Sequence, residues 1–178
     1  MTTPLISRLK QFQEFLLEAG LARSVLALPA PRMLAIAAPS SDSSGPANVF
    51  GRIVTEPEIV AVSRDLFVSG HYSLSVQQAY KAVEKYIEDR VGPHPVNGTS
   101  LMEVVFSPTH PRLHWSDRKT SSEKDEQKGY QRLYSGAMLG IRNPVVHEFD
   151  WIDDQDVALE LLVFAKHLLR KAKIAKMV

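Results

Sequence analysis

Arg142, Asn143 and His147 stand together in the stretch Ile141-Arg142-Asn143-Pro144-Val145-Val146-His147-Glu148. A guanidinium presents a planar fork of donors that matches phosphate oxygens. An imidazole, with a reference pKa of about 6.5, gives or takes a proton near neutrality. Brought into one small volume, the two groups would suit a phosphodiester. The plainer alternative is an Arg favoured at a helix C-terminus by the helix dipole, followed by a loop His without a task.

Local chain geometry decides where these groups sit. Proline disfavours the helical conformation in the residue before it and removes a backbone donor. The sequence therefore predicts that a helix ends at Asn143 or just short of it. Arg142 would lie on the last turn and His147 on the short connection that follows. Glu148 and Asp150 read as exposed acids ahead of the next helix. His71 would approach the motif if its turn lies at the same end of the bundle, with Tyr72 serving as packing.

A second group of polar residues falls in the aperiodic stretch Pro108 to Thr120. His110 and His114 are spaced as His-x3-His but lack a helical face to orient them, so solvated residues are expected there and no metal site. Arg112, Arg118 and Lys119 of this stretch likewise read as solvated residues, and the alternative is that they form the local basic patch that an RNA substrate needs. A global basic field is excluded, because the formal net charge is only +1.

The chain has 178 residues, 44% hydrophobic and 23% charged, enough for one domain with a real core and a small appendage. Cysteine is absent, which rules out disulfides, thiolate metal sites and Cys nucleophiles. No apolar run approaches the roughly 20 residues of a membrane helix. Only Arg8 and Lys10 lie near the N-terminus, amid helical periodicity and without a signal-peptide core, so a soluble cytoplasmic protein is expected.

Periodicity predicts an all-α protein. Thr3-Pro4 opens a helix that Gly20 stops, and apolar pieces follow at Leu21–Leu28 and Met33–Ala38. Pro39 to Pro46 reads as a linker, which separates an appendage over residues 1–50 from a main helical body over 55–178. In that body, Pro57 opens a helix with Ile59, Val60, Val62, Leu66 and Phe67 on one face, ended by Gly70. Leu74–Val91 sets Val76, Ala79, Tyr80, Val83, Tyr86 and Ile87 opposite a polar side of Gln77, Lys81, Glu84, Lys85 and Glu88. Ser100 and Glu103 read as a capping box for a short helix through Phe106. Ser122 starts the helix carrying the motif, with Tyr130, Leu133, Tyr134, Ala137, Met138 and Ile141 on one face. Gly129, Ser135, Gly136 and Gly140 leave room for another backbone to approach. The last helix is capped by Asp153 or Asp154, and its core face runs from Val157 to Leu169.

A helix ending in Arg-Asn with a His shortly after the Arg resembles the HEPN superfamily. Within it, the chain resembles the phage- and plasmid-associated Ymh group. The shared pattern comprises Gly70-His71-Tyr72, Gln78-Ala79, Leu101-Met102-Glu103, Phe106, Gln127-x-Gly129, Ser135-Gly136-Ala137 and Gly140-Ile141-Arg142-Asn143-Pro144-x-x-His147, and it spans about residues 56–175. The resemblance implies a HEPN-like bundle of about four to five helices that dimerises around the Arg-x4-His segments. It implies either a metal-independent endoribonuclease of toxin–antitoxin, abortive-infection or anti-phage systems, or a catalytically silent module that binds RNA, nucleotide or a partner protein. Arg142 would then bind the scissile phosphate, His147 would handle a proton at the 2′-OH or the leaving oxygen, and Asn143 would orient the pair or hydrogen-bond substrate. Expected partners are RNA, a second copy of the chain and an antitoxin or other defence protein, with no cofactor. Val146 replaces the Ala common before the His in that group. Phe149 replaces the Tyr that is modified in adenylylated HEPN toxins, so that form of regulation is not expected here.

Overall fold

Helix-forming segments with an apolar residue every three or four positions account for most of residues 45–148 and 151–178, which the computed structural model describes. They form α1 (Pro46–Ile53), α2 (Pro57–Val68), α3 (Tyr72–Val91), α4 (Gly98–Val105), α5 (Ser121–Ala137), α6 (Asn143–His147) and α7 (Gln155–Lys173). A π-helical segment, Met138–Arg142, joins α5 to α6 without a break. Among the described residues the only strands are β1 (Leu113–His114) and β2 (Lys176–Met177), which pair antiparallel with Leu113 opposite Met177. The protein is an all-α bundle with this small clasp. The expected elements at 3–20, 21–28 and 33–38, most of the linker, Phe149 and Asp150 lie outside the described residues.

Several boundaries follow local chemistry. Pro57 sits in the first turn of α2, where its missing N–H costs nothing. Gly70 and Gly92 take φ of +79° and +78°, a region that favours glycine, and so end α2 and α3. Asp154 accepts from the backbone N–H groups of Asp156 and Val157 and caps α7.

The capping box lies elsewhere than predicted. Thr120 and Glu123 form it, so α5 begins at Ser121 rather than Ser122. At the predicted place, α4 starts earlier, at Gly98, with no side-chain cap from Asn97. Its first N–H is satisfied from outside: Gly98 donates to Glu84 Oε1 at 2.5 Å.

The core lies where α3 meets α7. Val76, Ala79, Tyr80, Val83 and Ile87 are fully buried, as are Ala158, Leu162, Ala165, Leu168 and Leu169. Each large aliphatic group so buried contributes about 1.5–3 kcal/mol before conformational entropy is counted. Val62, Leu133 and Val157, expected on core faces, are exposed. Phe50 of α1 is fully buried with its ring centroid 5.3 Å from that of Phe67. The helical body therefore extends to Pro46, within the stretch that the sequence assigned to an appendage. At the far end, Phe106 and Tyr134 stack at 4.2 Å, and the Tyr134 hydroxyl donates to the Leu168 carbonyl. Burial pushes the Tyr134 hydroxyl well above the ordinary tyrosine range, so it stays a neutral donor.

Candidate functional site

The helix carrying the motif does not end at Pro144. Asn143 keeps helical angles (φ −68°, ψ −46°), and its N–H bonds to the Met138 carbonyl, five residues back. A proline in a regular α-helix would lack one hydrogen bond and push its ring into the carbonyl four residues earlier. The wider π turn relieves that conflict, because its hydrogen bonds already skip one residue further. Pro144 then occupies the first turn of α6. His147 is thereby on the last helical turn rather than on a loop.

Arg142 is held by two partners. Its Nη1 donates to Asn143 Oδ1 at 3.1 Å, and its Nη2 lies 3.2 Å from Glu84 Oε2. The Arg142 side chain is 24% exposed and that of Glu84 only 7%. Arg142 Nε is buried and has no hydrogen-bond partner. The sequence placed Glu84 on a solvated face. One signal pointed the other way: positions 76, 80, 84, 87 and 91 run in steps of four and three along the buried stripe.

His147 faces different surroundings. With Val145, Val146 and Glu148 it lines a cavity of about 310 Å³, closed on the other side by His71, Leu74 and Gln77 from the start of α3. His71 thus lies at the same end of the bundle as His147, which is the condition set for its approach to the motif. Tyr72 packs as anticipated, its ring 5.4 Å from Phe67 and its hydroxyl donating to Gln155 Oε1. Arg142 does not line this cavity. Along an α-helix five residues turn through about 500°, which leaves the Arg142 and His147 side chains about 140° apart.

The predicted basic patch lies at the opposite end. Arg112 Nη2 donates to the Val91 carbonyl at 2.9 Å, at the C-terminus of α3, whereas the cavity opens at its N-terminus. The 20 residues of α3 separate these ends by about 30 Å. Arg118 adopts φ +56° in the same loop. Lys119 is exposed and pairs with Asp117 at 2.7 Å, and that hydrogen bond raises its pKa. The structure therefore does not bring Arg112, Arg118 or Lys119 to Arg142 and His147 within one chain. Among the described residues no group of three His, Cys, Asp or Glu side chains is placed to hold a metal ion. No helix among them is long and apolar enough to cross a membrane.

Residues 54–172 match the family model described as "Protein of unknown function (Hypoth_ymh)". No curated protein matches the chain, and neither does any solved structure.

Proposed function

We propose that this chain, which belongs to the Hypoth_Ymh family, is a metal-independent endoribonuclease of HEPN type that works as a homodimer, in the role of a toxin or anti-phage effector. The observation that carries the reading is the pairing of an immobilised Arg142 with an exposed, unengaged His147 on one continuous helix. RNA supplies its own nucleophile. Attack by the 2′-OH is intramolecular, so positioning provides much of the rate. A fixed guanidinium stabilises the phosphorane charge, and the imidazole moves a proton.

Within one chain the two side chains diverge, so a composite site would take Arg142 from one copy and His147 from another. The outer face of the helix favours such pairing. Leu133 and Leu139 are 44% and 62% exposed, and a Cβ added at Gly129, Gly136 or Gly140 would meet nothing within 4 Å. That strip leaves room for a second backbone.

One observation favours a non-catalytic module that binds RNA, nucleotide or protein. The Arg142 charge is already met by Glu84, which weakens its pull on a phosphate.

Cleavage of total RNA by purified protein in EDTA separates the two readings. The nuclease reading expects 2′,3′-cyclic phosphate ends from the wild type. It expects losses of about 10²–10³-fold in Arg142→Ala and 10²–10⁴-fold in His147→Ala. Ends bearing 3′-OH, or activity abolished by EDTA, overturn it. Folded dimers of all three that leave RNA intact favour the binding module.

A further inference from the structure

Cleavage of RNA by 2′-OH attack needs two proton transfers, and His147 alone serves only one of them. The O2′–P bond forms as the 2′-OH loses its proton to a base. The P–O5′ bond breaks as an acid protonates O5′. The products are a 2′,3′-cyclic phosphate and a 5′-OH, and two different groups act in the same step.

The cavity beside His147 holds one further imidazole. His71 lines it from the start of α3. The turn at Gly70, with φ +79°, brings the chain from α2 round to that position, and His71 N–H bonds to the Leu66 carbonyl at 2.8 Å. The other polar side chains there are engaged. Ser73 Oγ accepts from Ile152 N–H at 2.7 Å and donates to its carbonyl, and Gln77 Nε2 donates to the Val145 carbonyl. Neither imidazole makes a side-chain hydrogen bond or ion pair with a described residue. Glu148 is the only other titratable group among the lining residues.

We infer that His71 is the second proton-transfer residue of the site, so that His71 and His147 act as an acid–base pair across one cavity. The inference rests on the ribonuclease reading and extends it. It assigns both protons to one chain and leaves Arg142 to meet the phosphate charge from the partner copy.

The test compares wild type, His71→Ala, His71→Gln and His147→Ala on RNA and on a mixture of the four nucleoside 3′-(4-nitrophenyl phosphates). The 4-nitrophenolate leaves without a proton, so loss of the acid harms RNA cleavage but spares this ester. Both His71 variants should lose about 10²-fold or more on RNA. Of His71→Ala and His147→Ala, one should recover on the ester to within about tenfold of wild type, identifying the acid, and the other should not. The wild-type pH–rate profile should show two limbs, of which each Ala variant loses one.

Wild-type rates on RNA in the His71 variants overturn this inference and leave the nuclease reading standing. So does an equal loss on both substrates with both limbs retained, which marks His71 as a structural residue. A wild type that cuts neither substrate overturns both proposals together.

Discussion

Glu84 and Arg142 form an ion pair at 3.2 Å, and the other oxygen of the same carboxylate receives the Gly98 N–H at 2.5 Å. One side chain of α3 thus fixes the motif and starts α4. A buried carboxylate is tolerated because both its oxygens are occupied, and removing either partner exposes the cost of desolvation.

Glu84→Ala would leave Arg142 without its counter-ion and Gly98 without its acceptor. The loss should be about 2–3 kcal/mol, below the range for fully buried pairs because Arg142 keeps some solvent contact. Glu84→Gln, which preserves an acceptor for Gly98, should lose about half as much. Urea unfolding of the two variants measures this. A change under about 0.5 kcal/mol in the Ala variant means that the pair does not hold the motif.

Gln127 ties the loop after α4 to the long helix. Its Nε2 donates to the carbonyls of Phe106 and Leu113, both at 3.1 Å, from a fully buried position. Gln127→Ala strands two acceptors and should cost about 2 kcal/mol. Gln127→Glu should cost more at pH 7, where a carboxylate would face two carbonyls. It should regain stability in mild acid, where the protonated group can donate. If the two variants show parallel stability–pH curves, these bonds do not anchor the loop.

The Lys173 cluster predicts a stability window. Lys173 Nζ reaches Glu56 Oε2 at 2.6 Å and Glu58 Oε2 at 2.8 Å. The hydrogen bond from Lys173 lowers the Glu58 pKa below 4.5. Desolvation opposes the Lys173 charge, but the hydrogen bonds to Glu56 and Glu58 outweigh it and raise the Lys173 pKa above 10.5. A depressed carboxyl stabilises above its unfolded pKa, and that gain is lost as pH falls through the folded value. A raised ammonium stabilises below its unfolded pKa and loses that gain as pH rises through the folded value. Urea midpoints against pH should therefore decline below about 4.5 and above about 10.5, and Lys173→Met should flatten both declines. An unchanged acid limb in that variant would remove Lys173 as its cause.

Where apolar periodicity and a capping signal agreed, the elements were legible. Most of the core faces of α3 and α7 follow from spacing, with Val157 the exception, and of the two candidate caps Asp153 and Asp154 the structure uses Asp154. Two misses have different physical reasons, one in the local backbone and one in tertiary pairing. Pro144 reads as a stop because a lone proline usually is one, yet a widened turn before it lets the helix continue. Glu84 reads as solvent-facing because unpaired carboxylates stay in water, but here Arg142 and Gly98 supply the pairing. The nearness of His71 to His147 joins residues far apart in the chain, and the sequence offered it only as a condition on how the bundle turns.

The π segment has an angular meaning beyond tolerating a proline. A π turn accommodates one residue more than an α turn while the axis continues in the same direction. Beyond Arg142 the helix is thus one residue out of step with a regular α-helical count from α5. His147 stands at the azimuth that the preceding position would occupy in an unbroken α-helix. The wide turn therefore sets the azimuth of His147 relative to α5 by one residue of slack, while the spacing from Arg142 to His147 follows the regular turns of α6.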